Sequence, residues 1–133
     1  MTIEFQPPPA DLARSVLTSD CVTVDGWCFV NGVGPIDLQN DRAPLPEMVE
    51  AQVRKCLANL EAIIAPHGLG REHVVSVRMN IVDYARLHER VDLGYAGFFT
   101  TGRAPTRSVV GVSQLPRGAL VNCDFIARRS ERA

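Results

Sequence analysis

Arg107 opens a strand-like run, TRSVVGVSQL, residues 106–115. A planar guanidinium at a strand start can grip a carboxylate through two parallel hydrogen bonds. The plainer reading is a surface arginine held in an ion pair. Val109 lies two residues on, so alternation puts it on the same strand face. It could shape a cleft and lend backbone hydrogen bonds, or simply pack the core. Asn122 and Asp124 share a face of the last strand-like run, ALVNCDFIARR, residues 119–129. An asparagine amide can hold a water, but it is not a useful general base near neutral pH. Asp124 is the ionisable member of that pair, and a solvated or salt-bridged acid is its plainer reading. Asn31 could donate to a substrate oxygen, and Asn31-Gly32 equally well ends a strand.

Other chemistries lack their patterns. His67, His73 and His88 fall outside HxxxH or HxH spacing, so no metal site is expected. Cys21, Cys28, Cys56 and Cys123 form no CxxC pair and read as small buried hydrophobes. No GxGxxG, P-loop or serine-hydrolase elbow occurs, and no cofactor is implied. The chain carries 14 basic and 15 acidic residues, a net charge of −1, which argues against nucleic acid or an anionic membrane as partner. Lys55 is the sole lysine among the basic residues. The other basic residues are arginines, whose forks suit carboxylates and phosphates. No apolar run is long enough to span a membrane, and the start, MTIEFQPPPADLAR, lacks a signal-peptide pattern. A cytoplasmic location is the default expectation.

The elements that must position these residues are legible from patterning. The 133 residues suit a single domain, with 1–14 as an extended proline-stiffened arm and 130–133 as a polar tail. In CVTVDGWCFVNG, residues 21–32, Asp25-Gly26 marks a hairpin that pairs Val24 with Trp27 and Val22 with Phe29. Cys28 then lies diagonal to Cys21 on one sheet face, without direct opposition. Residues 33–46 read as a surface loop. A helix is predicted from about Pro46 to Ala65, with Val49, Val53, Cys56, Leu57, Leu60, Ile63 and Ile64 on one stripe. HVVSVRMNIVD, residues 73–83, reads as a strand, and 84–99 as a second helix in which Gly94 and Gly97 permit close packing. The order β-β-α-β-α-β-β implies an α+β fold, one mixed sheet with both helices on one face. The other face of the last strand mixes Leu120, Asn122, Asp124 and Ile126, as suits a cleft or subunit interface.

Four segments carry a resemblance: FVNGVGPID (29–37), QVRKCLANLEAIIAPHGL (52–69), MNIVDYARLHERVDLGYAGFFT (79–100) and RAPTRSVVGVSQLPRGALVNCDFIA (103–127). In order and spacing the chain resembles the RidA/YjgF/YER057c/UK114 family, also known as the L-PSP endoribonuclease family. The resemblance covers about residues 18–129. It implies a chorismate-mutase-like fold, a homotrimer with clefts between subunits, and hydrolysis of reactive imines or enamines to keto acids and ammonia.

Carried over residue by residue, Arg107 in APTRS matches the arginine that holds the substrate carboxylate. Asn31 and Gly32 match a Ser/Gly pair bordering the cleft, and Val109 stands where many members have cysteine. Asp92 falls near a polar cleft position, and Thr18 lies nearest to a family tyrosine that is missing here. Asn122 stands where deaminating members place the glutamate that activates water. This departure puts the usual mechanism in doubt, and Asp124 is the carboxylate that could compensate. With a turn near Pro116-Arg117, Asn122 is expected roughly across from Val109. The expected partner is a small carboxylate-bearing metabolite. A deaminase, a carboxylate-binding protein and a ribonuclease follow in that order. The near-neutral charge and the lack of an aromatic-basic platform count against the last.

Overall fold

The Asp25-Gly26 turn fixes the first register of the sheet. Both turn residues have positive φ, 50° and 82°, as the hairpin turn matched to strand twist requires. β2 (Cys21–Val24) and β3 (Trp27–Val33) accordingly pair Val24 with Trp27 and Val22 with Phe29, as expected. The computed structural model describes residues 2–9, 12 and 17–130. Part of the expected arm, and most of the expected tail, lies outside these residues. Within the arm, Ile3–Gln6 forms a strand, β1, antiparallel to β2. This corrects the reading of the arm as merely extended: Ile3 and Phe5 are β-favouring residues with an open strand edge beside them.

α1 (Val49–Ile64) starts later than predicted. Its stripe is buried, with Val49, Val53, Cys56, Leu60 and Ile64 all at 0% exposure. β4 (Val74–Val82) follows, then α2 (Tyr84–Tyr95), β5 (Thr106–Val112) and β6 (Val121–Arg128). α2 stops four residues before its predicted end because Gly97 takes the left-handed conformation, φ 84°. Gly94 lies inside α2 where the helices cross. A Cβ there would stand 2.8 Å from the Glu50 carbonyl oxygen and 3.0 Å from Val53 Cβ.

The six strands run in the order β1-β2-β3-β6-β4-β5. β4 and β5 are parallel, joined by a crossover through α2, and every other pair is antiparallel. The mixed sheet with both helices on one face is thus as expected. The pairing of β5 with β6 is not, because β4 lies between them. β4 buries Val77, Met79 and Ile81 under the helices, and an interior place satisfies both of its backbone edges.

Two buried polar side chains tie loops to α1. Gln52 Nε2 donates to the Pro46 carbonyl (2.7 Å), and its Oε1 accepts from the Leu120 N–H (2.8 Å). Asn59 Nδ2 donates to the carbonyls of Gly34 (3.0 Å) and Ile36 (2.8 Å), which pins the loop after β3. All four cysteines are buried and free, as the sequence reading expects. Among the described residues, no element packs over the helix-free face of the sheet. Ile3, Phe5, Trp27, Phe29 and Val110 are 39–66% exposed there.

Candidate functional site

Arg107 sits on the edge strand β5, beside Val77 in register, and so on the helix side of the sheet. Its Nη2 donates to Asp92 Oδ1 of α2 at 2.7 Å. The guanidinium carbon lies 4.7 Å from the centre of the Tyr95 ring, within cation–π range. The Tyr95 hydroxyl is buried without a hydrogen-bond partner. Burial pushes the Tyr95 phenol up to about 12, against an opposing pull from the Arg107 charge. Val109 follows Arg107 on the same side, next to Met79. The plainer reading of Arg107, an ion-paired arginine, and the carboxylate grip therefore describe one side chain. Asp92 occupies one nitrogen of the Arg107 fork.

The second group lies on the opposite face. Asn122 is in register with Asn80 of β4, and Asn80 in turn with Val110 of β5. Asn80 Nδ2 donates to Asn122 Oδ1 at 2.9 Å, leaving the Asn122 amide nitrogen as its free polar group among the described residues. Asp124 accepts the Gly32 N–H on Oδ1 (2.7 Å), and Arg78 on Oδ2 through Nε (3.0 Å) and Nη2 (2.6 Å). Gly32 has φ 65°, within the register shift of β3 between Val30 and Val33. Asp124 therefore braces the irregular end of β3. Asn31 is exposed beside it and, with Thr18, lines a small cavity.

Gly32 and Asn122 border a larger cavity of about 520 Å³, closed on its far side by Ile36, Pro116, Arg117 and Ala119. The expected opposition of Asn122 and Val109 is corrected here. β4 lies between the two strands, and its register aligns Asn122 through Asn80 with Val110, so the adjacent Val109 points to the opposite face. Arg107 with Val109, and Asn122 with Asn31, Gly32 and Asp124, are thus two separate groups on opposite faces of the sheet.

Sequence reasoning passed over Arg78, Asn80, Tyr95 and Arg117. Arg78 and Asn80 alternate with Val77, Met79 and Ile81, so the period-2 pattern of β4 held the signal. Arg117 lies in the Pro-Arg-Gly turn with φ 61°, and its Nη2 donates to the Ala43 carbonyl at 3.0 Å. Nothing in its sequence context marks that conformation. Among the described residues, no group of three or more His, Cys, Asp or Glu is placed to hold a metal ion.

The endoribonuclease L-PSP family model matches residues 12–129. The chain belongs to this family. Among its L-PSP relatives, DfrA of Myxococcus xanthus is 35% identical over 114 residues, which are 82% of each chain. TdcF of Escherichia coli, a candidate reactive intermediate deaminase, is 31% identical in an alignment 133 positions long that covers 96% of each chain. The solved structure of TdcF with bound serine superposes with a TM-score of 0.78 at 28% identity, over 98% of this chain and 99% of that one. The L-PSP fold thus agrees with the YjgF-type architecture expected from the four sequence segments.

Proposed function

We propose that this L-PSP family chain works as a homotrimer on a small carboxylated imine or enamine, hydrolysing it to a keto acid and ammonia. Arg107 of one copy would hold the carboxylate, exchanging its contact with Asp92 for the ligand. The next copy would supply the Gly32–Asn122 edge, with Asn31 at its border. Water adds to the imine carbon, a proton passes from the added oxygen to nitrogen, and ammonia leaves as the carbonyl forms. Asn122 would orient that water or the carbinolamine oxygen through its amide nitrogen. Asp124, with both oxygens engaged by Gly32 and Arg78, is better suited to positioning the edge than to carrying the proton.

The observation that carries this reading is the division of the site. The carboxylate grip and the polar edge lie on opposite faces of one sheet, so they can join only where two copies meet. The uncovered apolar face, from Phe5 to Val110, supports such an assembly, and the serine seen on TdcF is a small α-carboxylate of the expected kind. Four free thiols suit a reducing compartment such as the cytoplasm.

The test is ammonia and keto-acid release from imino acids generated in situ by an amino-acid oxidase. Wild type should accelerate release, and Arg107→Ala should not. One observation favours a second reading, binding without turnover. The position of the family glutamate holds an amide whose oxygen is already taken by Asn80. No acceleration by wild type, with activity gained in Asn122→Glu, would establish that reading instead.

A further inference from the structure

We propose that the cavity beside Asn122 receives a branched or aromatic apolar side chain, so that the ligand is the imine, enamine or keto acid of a large apolar amino acid. This rests on the carboxylate-binding reading above and adds the class of substituent. The cavity measures about 520 Å³, well inside the usual range for small-molecule pockets, roughly 300–1,000 Å³. Leu17, Pro35, Ile36, Pro116 and Ala119 form its carbon walls. Asp41 and Arg117 contribute one acid and one base, so the side-chain charges give no net attraction for a second carboxylate.

The space is built rather than incidental. A Cβ added at Gly32 would meet nothing within 4 Å, and one at Gly34 would meet only Ile36 Cγ2, at 3.8 Å. The glycines therefore keep one side open. The loop that carries Pro35 and Ile36 is pinned from beneath by buried Asn59, through the carbonyls of Gly34 and Ile36. The opposite wall is pinned by Arg117, whose backbone is left-handed and whose fork holds the Ala43 carbonyl. Both walls are thus fixed before a ligand arrives, which lowers the ordering cost of binding. The Asn122 amide nitrogen supplies a polar contact where the substituent meets the reacting carbon.

Calorimetric titration of the wild-type oligomer with pyruvate, 4-methyl-2-oxopentanoate, phenylpyruvate and 2-oxoglutarate tests this directly. Each buried methylene should strengthen binding roughly fourfold, so 4-methyl-2-oxopentanoate, with three more carbons, should bind up to about sixtyfold tighter than pyruvate. Ile36→Asn should draw that ratio toward one, and Arg107→Ala should weaken all four acids together. The wild-type series decides the matter even if Ile36→Asn fails to fold. A flat series, or one led by 2-oxoglutarate, would overturn the apolar-substituent inference and leave the carboxylate grip standing. Failure of every acid to bind would remove the grip itself, and the inference with it.

Discussion

The two half-sites hold their polar groups in different ways. On the helix side, Arg107 is a long side chain lying over the Tyr95 ring with a single hydrogen bond to Asp92. On the open side, both Asp124 oxygens and the Asn122 oxygen are committed to Gly32, Arg78 and Asn80. The first arrangement can trade one acid for another with little loss, because an exposed ion pair contributes little to stability. The second links more groups at once, so changing one member disturbs several contacts together. The Arg107 contact is thus the simpler of the two, and the Asp124 cluster the more interlinked.

The largest expected effect comes from separating the two. Arg107→Ala should weaken carboxylate binding about a hundredfold, the worth of a bidentate charge-assisted contact. Asn122→Trp should block the other half. Oligomers from co-expressed Arg107→Ala and Asn122→Trp copies should recover part of the binding capacity, because some boundaries then carry two native halves. No recovery in titrations of the mixed oligomer would place both halves in one copy and break the comparison. A smaller effect is expected at the rigid side. Asp124→Ala should lower stability by about 0.5–1 kcal/mol, read by urea denaturation, because the exposed Gly32 N–H and the Arg78 fork exchange their acceptor for water. An unchanged midpoint would mean that the edge is not braced as described.

The smallest effect concerns Tyr95. Its folded pKa, about 12, lies above the ordinary tyrosine value of 10.0. The folded chain therefore keeps the proton that the unfolded chain gives up, and stability contributed below pH 10 is lost as pH rises toward 12. Tyr95→Phe should reduce that alkaline loss in thermal melts. At neutral pH it should be neutral or stabilising by a few tenths of a kcal/mol, since it removes a buried hydroxyl without a partner. Marked destabilisation at pH 7 would show that the hydroxyl is in fact bonded.

Local chemistry made much of the fold legible. Asp25-Gly26 announces its turn and its register, the α1 stripe has the helical period, and β4 alternates cleanly. Sheet order was harder to read. The turn at Pro116–Gly118 suggests a hairpin, but a turn cannot say whether another strand will enter between its arms, and the apolar β4 did. The site was misread for the same reason. Faces within a strand follow from period 2, so Arg107 with Val109 and Asn122 with Asp124 were grouped correctly. Which residues of different strands share a face depends on the pairing register, which no local pattern carries. The amide pair of Asn80 and Asn122 joins residues 42 positions apart in the chain and could be seen only once β4 and β6 were side by side.

The four buried thiols bear on how this protein behaves toward alkylating reagents. Cys21 is 1% exposed and the other three 0%. A maleimide or iodoacetamide must therefore wait for the chain to open before it can react. The labelling rate would count openings of the sheet–helix core rather than surface groups. Cys21 and Cys28, near the β1 edge, would report local fraying. Cys56 and Cys123, between α1 and the sheet centre, would report loss of the whole core. The native sequence thus carries two clocks of its own unfolding, with no label introduced.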